Sequence, residues 1–243
     1  MRIVQITDCH VTGGGAPYRD EDPRARLEAV IDAACSWGPD LVLATGDLSE
    51  DGSDASYEYL AGAFGRLSAP VLATPGNHDD AERLRAHFPH CAVGAPLAFE
   101  HDWQLVLLGS AKPGLIGGRL DPEQLAALDI LLSDDDRPAL IALHHQPWPV
   151  GSPWIDRWAL EAPEAFHDLL RQHPRVRLVL WGHVHQDVVI EGEGWTGLGG
   201  PSSVSNSLPG RERFTVDPDG PACRWLELSP DGGFETGLLR PQS

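Results

Sequence analysis

Short apolar runs alternate with helix-like segments along most of the chain. Six of these runs are nearly continuous and are bounded by Gly, Pro or polar residues, a pattern typical of strands buried on both faces. The six runs cover residues 3–6, 41–44, 71–73, 105–108, 140–143 and 176–180. Segments with helical periodicity lie between several of them, at residues 23–35, 53–64, 79–87, 121–132 and 163–172. The alternation predicts an α/β fold with largely parallel strands.

The pattern changes after Trp181. Short runs separated by Gly, Pro and Asp follow at residues 188–190, 195–198, 224–228 and 234–238. They predict antiparallel hairpin strands, which a second sheet packed on the first would accommodate. The polar stretch 202–221 contains Pro and Gly. It predicts a long surface loop that is able to cover a functional site.

Length and charge narrow the class of protein. A chain of 243 residues predicts one domain, residues 1–243, with a substantial core. Its net charge of −18 argues against nucleic acid as a partner, because such binding relies on Lys and Arg displacing counterions from phosphates. A phosphate substrate would need the local charge to invert, and bound metal ions are able to supply that inversion.

The sequence predicts a cytoplasmic protein with no membrane partner. No apolar stretch approaches the ~20 residues that cross a bilayer, and no signal peptide precedes the first apolar run. The cysteines show no short paired spacing, so we expect free thiols in the core and neither a disulfide framework nor a zinc site. They are Cys9, Cys35, Cys91 and Cys223.

Five polar motifs follow the apolar runs, and their joint order is the most informative feature of the chain. They are Asp8-x-His10, Gly46-Asp47, Gly76-Asn77-His78, His144-His145 and Gly182-His183-x-His185. We expect all five to converge at one edge, since open α/β folds bind ligands at the carboxyl ends of their strands. One motif alone has an ordinary explanation, because Asn and Gly are common in turns. Together they indicate a two-metal phosphoesterase.

The spacing of two motifs suits shared metal ions. Alternate residues of an extended segment project to the same side. We therefore expect Asp8 and His10 to reach one ion together, with Cys9 pointing away. His183 and His185 are predicted to repeat that geometry, although a pair of this kind taken alone also fits a hydrogen-bonded loop end.

Asp47 and Asn77 are predicted to supply oxygen ligands. The two oxygens of the Asp47 carboxylate can bridge two cations, and Gly76 allows a close approach of the backbone beside Asn77. The positive charge of two divalent cations exceeds the negative charge of two carboxylates. The site therefore keeps a net positive charge, which suits a phosphodiester anion. Such a site also polarises phosphorus and lowers the pKa of a bound water from about 15.7 toward about 7.

His78 is the candidate catalytic residue. It follows Asn77 on the other side of the backbone, where it is free to donate a proton to the leaving oxygen, and its ordinary pKa lies near working pH. Glu50 or Asp51 is placed to orient this imidazole. Both carboxylates are better explained as solvated loop charges, which is the interpretation we favour from the sequence.

Other histidines and tryptophans are less specific. Adjacent strand residues face opposite sides, so we expect only one of His144 and His145 to bind metal, and we favour His144. The remaining histidines are expected on the surface or in ordinary packing: His87, His90, His101, His167 and His173. Three tryptophans are expected to pack a Pro-rich stretch onto the body, with stacking on a nucleobase as the alternative: Trp148, Trp154 and Trp158.

The motif set resembles the calcineurin-like metallophosphoesterase superfamily, across residues 1–200. Within the superfamily the chain is similar to the bacterial class III cyclic-nucleotide phosphodiesterases, in particular the 3′,5′-cyclic AMP type. The similar stretches are residues 5–8, 44–48, 75–79, 143–147 and 182–186, with 200–203 and 224–228 in the tail.

The resemblance implies a four-layer αββα sandwich, in which helices flank two mixed β-sheets, and a centre of two transition-metal ions. Iron or manganese is expected, and zinc is compatible with the same donors. One ion would be held by Asp8, His10, Asp47 and His185. The second would be held by Asp47, Asn77, His144 and His183. The substrate would contact His10, Asp47, Asn77, His78 and His185.

The expected activity is hydrolysis of a 3′,5′-cyclic nucleotide, cyclic AMP in particular, to the 5′-nucleotide. A second hypothesis keeps the chemistry but takes a glycerophosphodiester or another small diester as the substrate. A third is a non-catalytic scaffold, which would have no need of the complete ligand set. The expected partner is thus a small phosphodiester, and a homodimer is one option for the assembly.

Overall fold

Two β-sheets form the centre of the structure, a computed structural model that describes residues 1–241. The strands are β1 Arg2–Ile6, β2 Leu41–Ala44, β3 Val71–Ala73, β4 Leu97–Glu100, β5 Gln104–Leu107, β6 Ala139–Ala142, β7 Val176–Trp181, β8 Val188–Glu191, β9 Thr196–Gly199, β10 Cys223–Leu228 and β11 Phe234–Leu239. The α-helices are α1 Pro23–Trp37, α2 Asp54–Phe64, α3 Ala81–His87, α4 Pro122–Ser133, α5 Pro153–Asp156 and α6 Glu164–Gln172.

Both sheets are mixed. The five-stranded sheet has the order β11-β10-β1-β2-β3, and the six-stranded sheet has the order β4-β5-β6-β7-β9-β8. Parallel pairing joins β1, β2 and β3 in one sheet and β5, β6, β7 and β9 in the other. Strands β10 and β11 extend the first sheet in antiparallel fashion, while β4 and β8 form antiparallel edges of the second.

Alternating strand side chains build three cores and therefore four layers, because successive residues of a strand face opposite sides. Ile3 and Leu140 lie in the core between the two sheets. Val4 faces the other way and belongs to a core shared with residues of α1 and α2. Ile141 likewise packs against residues of α4 and α6 on the outer face of the second sheet. The predicted α/β class and αββα sandwich are confirmed.

Local sequence signals account for the first helix. Asp22 caps α1 by accepting hydrogen bonds from the backbone N–H groups of Arg24 and Ala25, and Pro23 occupies the first turn. Gly38 ends the helix with a left-handed φ of 72°, a conformation that glycine adopts without steric cost. The helix returns the chain to β2, so β1 and β2 deliver their carboxyl ends to the same edge.

Most predicted elements are present within one or two residues of their predicted ends. The predicted antiparallel hairpins in the tail are confirmed as β8 with β9 and β10 with β11, and a second sheet packs on the first. The tail strands do not form that sheet by themselves: β8 and β9 extend the sheet of β7, whereas β10 and β11 extend the sheet of β1. Strand β9 pairs with the edge of β7, and strand β10 pairs with the edge of β1. Strand β4 and helix α5 were not predicted. Helix α5 is a single turn of four residues, which is too short to display a helical period.

The stretch 202–221 becomes a surface loop only after its first six residues. Residues 202–207 are buried. Ser202 donates through its hydroxyl to the carbonyl of Asp8 at 2.8 Å, and its backbone N–H donates to Asn206 Oδ1 at 2.7 Å. The expectation of a surface loop is therefore wrong for residues 202–207.

All four cysteines are free, as predicted. Three of them are buried, whereas Cys35 is only partly buried on α1, so the expectation of a core position is wrong for that residue. Within residues 1–241, no helix combines the length and the apolar character that crossing a bilayer requires.

Candidate metal centre

The predicted motifs meet at one edge where the carboxyl ends of strands from both sheets come together. The backbone N–H of Asp8 donates to the carbonyl of Gly46 at 2.9 Å, which ties the ends of β1 and β2. The N–H of Gly182 donates to the carbonyl of His144 at 3.0 Å, which does the same for β6 and β7. The two sheets are joined through His183, whose N–H donates to Asp8 Oδ2 at 3.0 Å.

The loops that carry the predicted ligands are sharply turned. Five of these residues have positive φ, namely Asp8 (53°), His10 (45°), Asp47 (49°), His183 (66°) and His185 (50°). Positive φ is uncommon outside glycine and costs on the order of 1–3 kcal/mol per residue. The extended geometry expected at Asp8-x-His10 and His183-x-His185 is therefore wrong. The chain must turn back at each loop to bring side chains from two sheets to one point.

Asp8, His10 and His185 form the first group of potential ligand atoms, all within 4.8 Å of one another. Nδ1 of His10 donates to Glu50 Oε2 at 2.7 Å, and Nδ1 of His185 donates to the carbonyl of Ser205 at 2.7 Å. Both Nε2 atoms therefore carry lone pairs, yet they face each other at 3.1 Å. Asp8 Oδ1 lies 3.3 Å from Nε2 of His185. A cation among these atoms would relieve the repulsion between the lone pairs.

The second group lies beside Asp47. His144 and His183 share one set of potential ligand atoms with His145, and His144 Nε2 lies 3.4 Å from Asp47 Oδ2. Asn77, Asp47 and His183 line the same cleft. Asn77 Oδ1, His144 Nε2 and His183 Nε2 are buried and have no hydrogen-bond partner among the described residues. His144 donates through Nδ1 to the carbonyl of Thr45 at 2.7 Å, which leaves Nε2 as the ring nitrogen that faces Asp47. Buried polar atoms are nearly always satisfied. Three such atoms beside one carboxylate fit a metal ion.

Asp47 lies between the two groups. Its carboxylate lies within 4.8 Å of potential ligand atoms of Asp8 and His144 in one set, and of His10 and His78 in another. Burial alone would raise the pKa of Asp47, but the nearby His144 imidazole holds that pKa well below its usual value. The carboxylate is thus ionised where it can bridge two cations. His183 and His185 fall in different groups, so they do not share one ion as their spacing suggested.

His145 differs from His144 in having both ring nitrogens engaged. Its Nε2 donates to the carbonyl of Ile116 at 3.0 Å, and its Nδ1 accepts from the hydroxyl of Ser110 at 2.8 Å. Burial lowers the pKa of His145 to about 3, so the ring is neutral. No lone pair remains for a metal, which favours His144 as the ligand.

Glu50 is not the solvated loop charge that the sequence favoured. Its Oε2 lies 2.7 Å from Nδ1 of His10 and 3.1 Å from Nδ1 of His78. Burial would raise the pKa of Glu50, but hydrogen bonds from the two imidazoles lower it to about 2. The same bond to Glu50 raises the pKa of His78 to about 9. Asp51 is exposed and instead accepts from the backbone N–H of Gly13 at 2.9 Å.

A cleft of about 230 Å³ opens over the two groups, and we call it the metal cleft. It is lined by His10, Tyr18, Arg19, Asp47, Asn77, His78, Ile116, Trp154, Ile155, Trp158, His183 and His185. Tyr18 and Arg19 were not predicted from sequence, because they lie in a polar segment without a helix or strand period. The ring of Tyr18 stacks on the ring of His10, with centroids 3.9 Å apart.

The remaining aromatic residues divide between packing and the cleft. Trp148 stacks on Trp195, with ring centroids 4.2 Å apart, as expected for a packing role. Trp154 and Trp158 line the metal cleft instead. His167 stacks on Trp148, and His173 bonds to Asp129, so these two histidines have structural contacts, as expected.

The sequence was compared with known proteins. The family model for the calcineurin-like phosphoesterases matches residues 1–187, and the chain belongs to this family. It is 38% identical over 246 residues to the 3′,5′-cyclic adenosine monophosphate phosphodiesterase CpdA of Pseudomonas aeruginosa, covering 98% of this chain and 89% of that protein. It is 32% identical over 250 residues to the CpdA phosphodiesterase of Escherichia coli strain K12, covering 99% and 90%.

A solved structure supports the fold. A dimetal phosphatase from Danio rerio superimposes with a TM-score of 0.72, at 15% sequence identity, and the match covers 99% of each chain. At that identity the likeness shows the fold alone. The family and fold therefore agree with the resemblance carried by the five motifs, and the family is one of metal-dependent phosphoesterases.

Proposed function

We propose that this protein hydrolyses 3′,5′-cyclic AMP to 5′-AMP. Two relatives that match nearly the full chain carry that activity in their names. The observation that carries the proposal is the cluster of potential ligand atoms beside Asp47, since Asn77 Oδ1, His144 Nε2 and His183 Nε2 are buried and have no partner within residues 1–241. These atoms suit metal ions, and the metal cleft opens beside them.

The residues divide between two proposed ion sites. One ion would be held by Asp8, His10, Asp47 and His185. The other would be held by Asp47, Asn77, His144 and His183. When bound, the ions would polarise the diester and lower the pKa of a water molecule to supply a nucleophile near neutral pH. Nitrogen and oxygen donors of this kind suit iron, manganese or zinc, and we favour iron or manganese.

The side chains of the metal cleft then have separate tasks. Glu50 holds Nδ1 of His78, which leaves Nε2 as the nitrogen that can donate a proton. His10, Asp47, Asn77, His78 and His185 border the space where the phosphate would lie. Hydrolysis adds one water: a P–O bond forms to the water oxygen, the P–O3′ bond breaks, and O3′ takes a proton from His78. The proton that the water releases passes to solvent, and His78 regains a proton from solvent, so no net proton is lost from the protein. This division makes His78 the general acid.

The substrate class is tested by a panel. We expect manganese- or iron-loaded protein to show its highest kcat/KM on cyclic AMP, among cyclic AMP, cyclic GMP, a glycerophosphodiester and an aryl diester. A higher value for the glycerophosphodiester would transfer the proposal to small diesters of that kind. Protein that holds far fewer than two ions per chain and cleaves none of the four would support a scaffold.

Compartment and assembly are further proposals. Four free cysteines suit a reducing compartment, so we propose that the protein acts in the cytoplasm on a small soluble diester.

Both sheets supply site residues, so we propose that residues 1–243 act as one domain. A homodimer stays a prediction, which light scattering at several protein concentrations tests.

A further inference from the structure

A strained two-residue turn holds Arg19 at the metal cleft. Tyr18 and Glu21 exchange backbone hydrogen bonds, each 2.9 Å long, so Arg19 and Asp20 form the two central positions. Their φ values are 49° and 67°. Turns with positive φ at both central residues normally use Asn, Asp or Gly. Asp20 fits this preference, whereas Arg19 does not, and strain of that kind persists where the surrounding structure and function require it.

The Arg19 side chain is held in place by two aromatic rings. Its Nε donates to the hydroxyl of Tyr18 at 3.1 Å, and its Cζ lies 3.7 Å from the centre of the Phe214 ring. Tyr18 in turn stacks on His10. Phe214 lies in the part of the 202–221 stretch that follows its buried residues. Its ring also contacts the ring of His185 edge-on, with centroids 5.8 Å apart. The guanidinium is thus fixed beside two predicted metal ligands from opposite sheets.

The charge of Arg19 is not neutralised by the protein. Among the described residues, its guanidinium makes one protein hydrogen bond, from Nε to the Tyr18 hydroxyl, and it forms no ion pair with a carboxylate, so both Nη groups are open to a ligand. It is also the one Lys or Arg among the residues that line the metal cleft. The chain as a whole carries 36 acidic and 18 basic side chains. An unpaired, stacked guanidinium at the mouth of the site in so acidic a protein suits an anionic ligand.

We infer that Arg19 is a substrate-binding residue that donates its free Nη groups to the anionic phosphodiester. Planar guanidinium forks recognise phosphate oxygens with two parallel hydrogen bonds, and stacking on an aromatic ring reduces the freedom lost on binding. The inference rests on the proposed phosphodiesterase function for the identity of the substrate. The class of ligand that Arg19 would recognise is a monoanionic phosphate ester or inorganic phosphate. This class is inferred only from the residues around the metal cleft.

The test compares Arg19→Ala and Arg19→Lys with a matched control, Arg213→Ala. Arg213 is exposed next to Phe214 and lies outside the metal cleft, so its variant removes the same charge from the same surface. We expect Arg19→Ala to raise KM for cyclic AMP at least tenfold, to change kcat less than threefold and to retain wild-type metal content. Arg19→Lys should fall between Arg19→Ala and wild type, because an ammonium keeps the charge but lacks the fork. Arg213→Ala should stay within twofold of wild type.

Calorimetric binding of inorganic phosphate to the metal-loaded proteins gives a readout without turnover. We expect Kd for phosphate to rise at least fivefold in Arg19→Ala and less than twofold in Arg213→Ala. Equal KM and equal phosphate Kd in these two variants would overturn the inference, as would loss of metal in Arg19→Lys. If wild type fails to cleave cyclic AMP but phosphate binding still depends on Arg19, the proposed substrate fails and this inference stands.

Discussion

The Oε2 atom of Glu50 lies 3.1 Å from Nδ1 of His78. The same oxygen lies 2.7 Å from Nδ1 of His10, so one carboxylate contacts both the proposed general acid and a proposed metal ligand. The contact fixes the tautomer of each ring and directs each Nε2 away from Glu50. The proposed metal ligand and the proposed proton donor are therefore coupled through Glu50, which is neither a proposed ligand nor a residue that lines the metal cleft.

Replacing Glu50 should affect both functions at once. We expect Glu50→Ala to lower kcat by about 10–100-fold and to weaken metal retention by about 10–100-fold, as loss of partners of metal-bound histidines does. Asp51→Asn is the matched control, because Asp51 is exposed and contacts neither imidazole. Steady-state kinetics and metal analysis after dialysis measure both effects. Normal metal retention in Glu50→Ala would contradict the role assigned to its contact with His10.

Asn77 and His78 are adjacent but have different proposed roles. We expect Asn77→Ala to reduce bound metal from two ions toward one, because it removes an unpartnered amide oxygen from the second group. His78→Ala should keep near-normal metal content and lower kcat by about 10²–10⁴-fold, the usual contribution of a general acid. Elemental analysis and kcat of the two variants check this. Equal metal loss in both would show that the division of roles is wrong.

The parts that sequence could predict are those with a local signal. Apolar runs predicted the strands, and motifs at strand ends placed Asp8, Asp47 and His183 at one edge. The assignment of the tail strands to two different sheets had no local signal, because pairing partners are selected by tertiary contacts. Arg19 and Phe214 were missed for the same reason: each lies in a polar loop, and only the fold brings them together.

Glycine at position 76 is required by space. A Cβ atom added to Gly76 would lie 2.1 Å from Asp47 Oδ1, so Gly76→Ala must displace the proposed bridging carboxylate. We expect it to lose at least one metal ion and more than about 99% of kcat/KM, which corresponds to about 2.7 kcal/mol. Gly62→Ala, in helix α2 with no atom near the added Cβ, is the control and should stabilise the protein by up to about 1 kcal/mol. Full activity in Gly76→Ala would contradict the close approach of residue 76 to the Asp47 carboxylate.

Metal removal should destabilise the folded state. Without ions, the buried Asn77 Oδ1, His144 Nε2 and His183 Nε2 atoms have no partners in the described part of the chain, which costs free energy. The stabilisation that metal binding gives to the folded state is also lost. At free metal near 100 times Kd this stabilisation is about 2.7 kcal/mol, so we expect a chelator to lower Tm by about 5–10 °C. Differential scanning calorimetry measures it. His144→Ala should show a smaller chelator effect, and an unchanged Tm in wild type would argue against metal at these atoms.

The most direct measurement follows cyclic AMP turnover by protein whose metal content is determined on the same sample. With two manganese or iron ions per chain, the account predicts 5′-AMP as the single nucleotide product and a kcat/KM for cyclic AMP above that for the other diesters. A sample that holds both ions and leaves cyclic AMP intact would contradict it.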